Sequence, residues 1–252
     1  SSPAVPALAV TSGNVVIGSV PTTTDIATST GLAVYNKDVE ILAGTPTFLA
    51  STSVPDWPYS IEVVGDLMYV GLQGNGGDEL EIYDVSDLAN ITKVGGIDAG
   101  SRADNITLRG NYVYLTSAYS FDQFKIIDVS NPTSPILAGE IDPETIPDGL
   151  AINGQYAYIV GNTTENLEIF DISDPTTLTA LGTTSLDAAG NEVAVVGNYA
   201  YVSTASAGDD FEIFDVSDPN NPTKVGGVDI QPGPNTGFEI SGNFAYMSNF
   251  SV

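Results

Sequence analysis

Between residues 61 and 97, apolar and β-branched residues alternate with polar ones at a period of two. The runs are Ile61 to Val64, Leu67 to Leu72, Leu80 to Val85 and Thr92 to Ile97, with turn-forming clusters of Gly, Asp, Asn and Ser between them. This pattern predicts four short strands and no helix. The same unit then returns. A tight turn and an aromatic strand recur as Gly65-Asp66-Leu67-Met68-Tyr69, Gly110-Asn111-Tyr112-Val113-Tyr114, Gly154-Gln155-Tyr156-Ala157-Tyr158, Gly197-Asn198-Tyr199-Ala200-Tyr201 and Gly242-Asn243-Phe244-Ala245-Tyr246. The glycines lie 45, 44, 43 and 45 residues apart. A second signature follows the first in each complete unit, an Ile-rich strand ending in Asp84-Val85-Ser86, Asp128-Val129-Ser130, Asp171-Ile172-Ser173 and Asp215-Val216-Ser217, with spacings of 44, 43 and 44.

A lone four-stranded sheet has two faces and cannot bury both, whereas copies stacked radially bury each face against a neighbour. The expected fold is therefore all-β, a β-propeller of four-stranded blades with a repeat of 43 to 45 residues and five to seven blades, the last cut short at the C-terminus. Tyr69, Tyr114, Tyr158, Tyr201 and Tyr246, with Tyr83, Phe170 and Phe214, are expected to pack between blades. One propeller should span residues 1 to 252. Residues 1 to 60 would form a degenerate first blade, with strands at Ala7 to Val10, Asn14 to Val20, Leu32 to Asn36 and Thr47 to Ser53; residues 61 to 237 give four regular blades; and 238 to 252 start a further one. Such an array closes either through additional chain or by pairing of its last two strands with N-terminal ones, which would remove exposed sheet edges.

Composition narrows the chemistry. Thirty-two acidic residues face six lysines and arginines, a formal net charge of −26. That balance repels phosphate backbones and anionic membrane surfaces, so neither nucleic acid nor direct membrane insertion is expected. There is no cysteine and no histidine. Their absence excludes disulfides, thiolate metal sites, thiol nucleophiles, His-dependent catalytic triads and the commonest transition-metal ligand. No apolar run approaches the roughly 20 residues of a membrane helix, and Ser1 to Val10 lacks the basic start of a signal peptide. The chain reads as a mature or trimmed ectodomain.

Several residues invite a role. Asp84, Asp128, Asp171 and Asp215 look like a ligand set, but a short carboxylate just before Ser fits an Asx-type turn better. Polar residues just before each first strand, Asp104-Asn105, Asp148, Asn191-Glu192 and Asn235, would line one mouth of a central channel. Asp104, Asp148, Asn191 and Asn235 then form a candidate ring of oxygens for Ca²⁺ or another hard cation, against the plainer reading of ordinary turn residues and no cofactor. Trp57, the single tryptophan, sits in Pro55-Asp56-Trp57-Pro58-Tyr59; Trp57 and Tyr59 are candidate contacts for a glycan or partner protein, with a buried plug as the competing expectation. Lys93 and Lys224 occupy equivalent Thr-Lys-Val-Gly-Gly segments and read as charges that blunt outer strands.

The turn Asp128-Val129-Ser130-Asn131-Pro132, its counterpart Asp215-Val216-Ser217-Asp218-Pro219 and the aromatic strands before them resemble the LVIVD-repeat family of surface and secreted β-propellers. The likeness covers roughly residues 60 to 248; the N-terminal unit departs from it, with Asn36-Lys37 where Asp-Val belongs. It implies an extracellular or envelope location and carries no catalytic residues. The leading functional expectation is a non-enzymatic, cell-surface module for protein or glycan interaction or structural display. The alternatives are the exposed head of a pilin-like or filament-forming protein, able to self-assemble, and an enzyme that uses paired carboxylates on glycans, whose two groups would need to stand about 5 to 10 Å apart.

Overall fold

In the computed structural model the described residues run from 49 to 249, without 75, 101, 118–122, 162, 164–165, 206–207 and 231–234, and include three short N-terminal strands. The chain divides into two compact units, residues 1–50 and 51–252. In the first, β1 (Ala9–Thr11) pairs antiparallel with β2 (Asn14–Ile17), and β2 pairs in parallel with β3 (Ala33–Val34). A parallel partner requires a crossover instead of a hairpin. This differs from the four-stranded meander expected for residues 1 to 60. Of the expected strand Thr47 to Ser53, residues 49–53 are not in a strand, and the rest lies outside the described residues.

The second unit is built of repeated antiparallel sheets. Blade one comprises β4 (Pro58–Val64), β5 (Leu67–Leu72), β6 (Leu80–Asp84) and β7 (Thr92–Ile97). Blade two comprises β8 (Asn105–Arg109), β9 (Tyr112–Thr116), β10 (Phe124–Asp128) and β11 (Ile136–Ile141). Blade three comprises β12 (Pro147–Asn153), β13 (Tyr156–Gly161), β14 (Asn166–Asp171) and β15 (Thr179–Ser185). Blade four comprises β16 (Gly190–Val196), β17 (Tyr199–Thr204), β18 (Phe211–Asp215) and β19 (Thr223–Val228). A two-stranded sheet, β20 (Asn235–Ser241) and β21 (Phe244–Asn249), follows. The strand order in each blade is the chain order. The unit is a β-propeller array of four complete blades and the first two strands of a fifth.

Sequence chemistry explains the blade's turns. Each first hairpin closes over two residues, and the leading glycine, such as Gly65 or Gly110, has φ of 60°, a conformation that a Cβ disfavours. At the end of each third strand, Oδ1 of Asp84, Asp128, Asp171 and Asp215 accepts the backbone N–H two residues on, at 2.8 to 2.9 Å. The serine hydroxyl and that N–H hold each carboxyl below the usual aspartate range. The expected Asx turn is what the structure shows.

The core sits between blades. Tyr69, Leu80 and Ile82 of blade one cluster with Leu108, Val113 and Ile127 of blade two. On β14, Phe170 joins Tyr114 and Phe124 of blade two, whereas its neighbour Ile169 joins Val193, Ala200 and Phe214 of blade four. Alternate residues of the third strand therefore reach opposite neighbours, as strand geometry requires. That is why these strands are apolar on both faces instead of half polar. Phe124, Phe170 and Phe214 are essentially fully buried, each worth roughly 2–3 kcal/mol of transfer free energy.

A second inter-blade contact uses backbone. In blades one to three, the glycine near the middle of the fourth strand lies under the proline turn that leads out of the next blade's third strand. A Cβ on Gly95 would strike the carbonyl of Pro132, one on Gly139 the carbonyl of Pro175, and one on Gly182 the carbonyl of Pro219 at 2.6 Å. Gly226, in blade four, meets nothing nearer than Ile213 at 3.8 Å. Gly182→Ala should therefore destabilise the protein by about 1–3 kcal/mol through overpacking, while Gly226→Ala should stay within about 0.5 kcal/mol of wild type, as read by denaturant melts of the two variants.

Candidate functional site

The first strands of successive blades lie side by side without backbone pairing, and side chains bridge the gaps. Ser60 Oγ donates to the Ala103 carbonyl at 3.2 Å, Glu62 accepts the Leu108 N–H at 2.6 Å, and Asn105 Nδ2 donates to the Asp148 carbonyl at 2.9 Å. A bulge re-aims the start of four of these strands, but not of β8. The register slips at Pro58/Ser60, Pro147/Gly149, Gly190/Glu192 and Asn235/Gly237. The residues left without a ladder partner are Tyr59, Asp148, Asn191 and Thr236, and a bulge of this kind turns its extra residue away from the regular pleat.

The candidate ring is brought together only in part. Asn105, Asp148, Asn191 and Glu192, with Gly149, Leu150 and Val193, line one open cavity of about 330 Å³. Gly149 is required there, because a Cβ would lie 2.9 Å from Cα of Glu192. Glu192 Oε2 accepts the Phe238 N–H at 2.7 Å, so part of its oxygen capacity is already used. Asp104, expected in the ring, is instead ion-paired with Arg102 Nε at 2.5 Å. The side chain of Asn235 lies outside the described residues, and the bulge register places residue 236 in the position equivalent to Asp148. Among the described residues, no group of three or more acidic, His or Cys side chains is placed to hold a metal ion.

At the first blade the same position is aromatic. Tyr59 is 43% exposed, and the Arg102 guanidinium stacks 4.4 Å from its ring centroid, a cation–π contact that ties blade one to blade two. Trp57 is 72% exposed rather than a buried plug. Its backbone is nonetheless fixed: its N–H is bound by Asp56 Oδ1 at 2.8 Å and its carbonyl accepts the Gln73 N–H at 2.9 Å. An exposed indole thus stands on a held main chain.

Another set of residues was hidden in the sequence pattern. The residue three places before the turn aspartate in each third strand is charged and almost fully buried: Glu81, Lys125, Glu168 and Glu212. Lys93 and Lys224 do not blunt the outer strands, as their positions suggested. Opposite Tyr83 and Phe214 in the ladder, they fold back onto these carboxylates. Lys93 Nζ lies 2.8 Å from Asp78 and 2.5 Å from Glu81, and Tyr83 donates its hydroxyl proton to the same Glu81. Lys224 Nζ meets Asp187 at 2.8 Å, Asp209 at 3.0 Å and Glu212 at 3.2 Å. Blade two inverts the charge, with Lys125 held at 2.7 Å by Glu140 directly across the ladder. The signal that could have found them is a charge recurring three residues before the turn aspartate of an otherwise apolar strand. Burial pushes the Glu212 carboxyl up, opposed by the Asp187 N–H and by Lys224. Burial would lower the Lys224 ammonium, but its three carboxylates outweigh that and raise it.

A family model for the LVIVD repeat matches residues 59–98, 100–142, 147–184 and 189–230. The chain belongs to the LVIVD-repeat family. Each match takes in the four strands of one blade, first to fourth, so one LVIVD repeat is one blade. No curated protein matches the chain. Among solved structures, a functionally unknown protein from Desulfotomaculum acetoxidans DSM 771 is 15% identical with a TM-score of 0.59, over 74% of this chain and 61% of that one. A protein from Lactobacillus plantarum is 16% identical with a TM-score of 0.62, over 73% and 61%. The computationally designed Ika8 protein is 10% identical with a TM-score of 0.62, over 80% and 58%. This chain thus spans about three-fifths of each, and at these identities the likeness shows the propeller fold alone.

The LVIVD lysine of blade four gives a direct test. Lys224→Met leaves Glu212 buried beside Asp187 and Asp209 without a cation. We expect a loss of about 2–3 kcal/mol at neutral pH, below the range for fully buried pairs because Lys224 is partly exposed. The raised folded pKa of Glu212 rises further in the variant, so protonation favours its folded state and the deficit should shrink as pH falls through that value. Urea melts of both proteins between neutral and mildly acidic pH check the sign.

Proposed function

We propose that this propeller is a non-enzymatic, extracellular or cell-surface module that presents a rigid contact surface to a protein or glycan. The observation that carries the reading is the pair Trp57 and Tyr59, exposed at the start of the first inner strand on a backbone held by Asp56 and Gln73. Exposed aromatic rings whose main chain is already ordered lose little entropy on binding, and they supply the flat apolar area that sugars and partner proteins stack upon. The polar cavity of Asn105, Asp148, Asn191 and Glu192, on the inner strands of blades two to four, offers amide and carboxylate groups suited to hydroxyls. The net charge of −26 disfavours polyanionic partners.

A second reading, assembly of copies into a filament, is favoured by exposed apolar sheet faces. Glu62 points toward blade two, so Ile61 and Val63 turn the other way and are 64% and 55% exposed; on β21, Phe244 and Tyr246 are 68% and 60% exposed. Apolar sheet faces of this kind support head-to-tail contacts between copies. Concentration-dependent light scattering separates the two readings.

Because Trp57 is the only tryptophan, its fluorescence reports on the proposed contact directly. Titration with a panel of neutral and cationic oligosaccharides and with candidate surface proteins should give at least one saturable change in emission. Trp57→Ala should weaken that partner's affinity at least tenfold, the scale of an aromatic hot spot, with the melting temperature unchanged. No saturable response, or binding that survives the substitution, contradicts the reading.

A further inference from the structure

Blade three keeps the carboxylates of the lysine sites but not the lysine. Opposite Phe170, where blades one and four carry Lys93 and Lys224, stands Ala180. Glu168 occupies the place of Glu212 and is 6% exposed. Glu144, 43 residues before Asp187, occupies the place of that carboxylate, and it donates its backbone N–H to Glu168 at 3.0 Å, as Asp187 does to Glu212 at 2.8 Å. Among the described residues no lysine or arginine forms an ion pair with Glu168. Where the lysine side chain would run there is instead a cavity of about 240 Å³, lined by Asp142, Glu144, Glu168, Phe170 and Ala180 among others. Asp142, Glu144 and Ala180 are exposed, so the cavity opens to solvent.

We propose that this cavity on blade three is a binding site for a primary alkylammonium group, the lysine side chain of a partner protein or a free small amine. Two sister blades of the same chain show what the site accepts: an ammonium on an alkyl stem, lying along the fourth strand beside an aromatic ring and ending on the buried third-strand carboxylate. The apolar wall of Phe170, Leu181 and Ala180 accommodates the stem, while the buried Glu168 carboxylate receives the head in a cavity that Glu144 and Asp142 also line. Both Glu168 oxygens accept a backbone N–H, from Glu144 at 3.0 Å and Thr145 at 2.8 Å, but these dipoles carry no net charge, and a cation that enters adds the charge pairing they do not supply. The donor set suits an ammonium better than Ca²⁺, which needs six to eight oxygens and for which no three-carboxylate group is placed among the described residues. The site lies apart from Trp57 and is independent of the contact proposed there.

The experiment is a thermal-melt titration at constant ionic strength with n-butylammonium, Nα-acetyl-lysine methylamide and its Nε-acetylated form, with CaCl₂ in parallel. A ligand that binds only the folded state raises the melting temperature. We expect a saturable rise with the first two at millimolar concentration and none with the acetylated control. The rise should vanish in Glu168→Gln. Ala180→Lys should melt higher than wild type and no longer respond, since it carries its own ammonium. A stronger response to the lysine derivative than to n-butylammonium identifies a protein lysine as the source; the reverse identifies a free amine. Equal responses in wild type and Glu168→Gln, or a response to Ca²⁺ alone, overturn the proposal.

Discussion

Everything in this molecule depends on a sheet that has no solvent face. The third strand of each interior blade sends alternate side chains into two different neighbours, Phe170 toward blade two and Ile169 toward blade four. A blade is therefore not a stable object by itself; its apolar surface exists to be covered twice. The glycine of the fourth strand and the proline turn of the next blade then set how far the outer edges can separate. Close approach at Gly95, Gly139 and Gly182 leaves no room for even a methyl group, so the family's characteristic turn acts as a spacer between blades as well as an end to its own strand.

Much of this architecture is legible without coordinates, because period-two alternation, a 43-to-45-residue repeat and fixed turn residues all point the same way. The Asx turns are readable for the same reason: Asp and Ser two residues apart solve a local backbone problem whatever surrounds them. Legibility fails where the deciding contact is long-range. Nothing local distinguishes a lysine that blunts an edge from Lys224, which bends back to three carboxylates drawn from two connections and one strand. Asp104 could not be removed from the candidate ring by its own segment alone either, since its neighbour Arg102 is fixed by stacking on Tyr59, 43 residues earlier in the chain.

A buried charge at the same place in every blade looks costly in an otherwise apolar stack. Its solutions differ from blade to blade: lysine from the fourth strand in one and four, inverted polarity in two, backbone N–H groups of Glu144 and Thr145 in three. The repeat conserves the location of the charge while its neutralisation varies. Variation of that kind inside a regular array gives a blade its individuality, and it is where a chemically specific contact arises on a scaffold whose other positions are committed to packing. The same logic separates the mouth residues, where the bulges of β4, β12, β16 and β20 each offer one side chain that the ladder does not constrain.

Native-state hydrogen exchange measures the mutual dependence of the blades most directly. Amides of β14 and β18, covered on both faces, should exchange through one shared, near-global opening with matching free energies. Separate opening energies for β14 and β18, each blade exchanging as its own unit, would contradict the account.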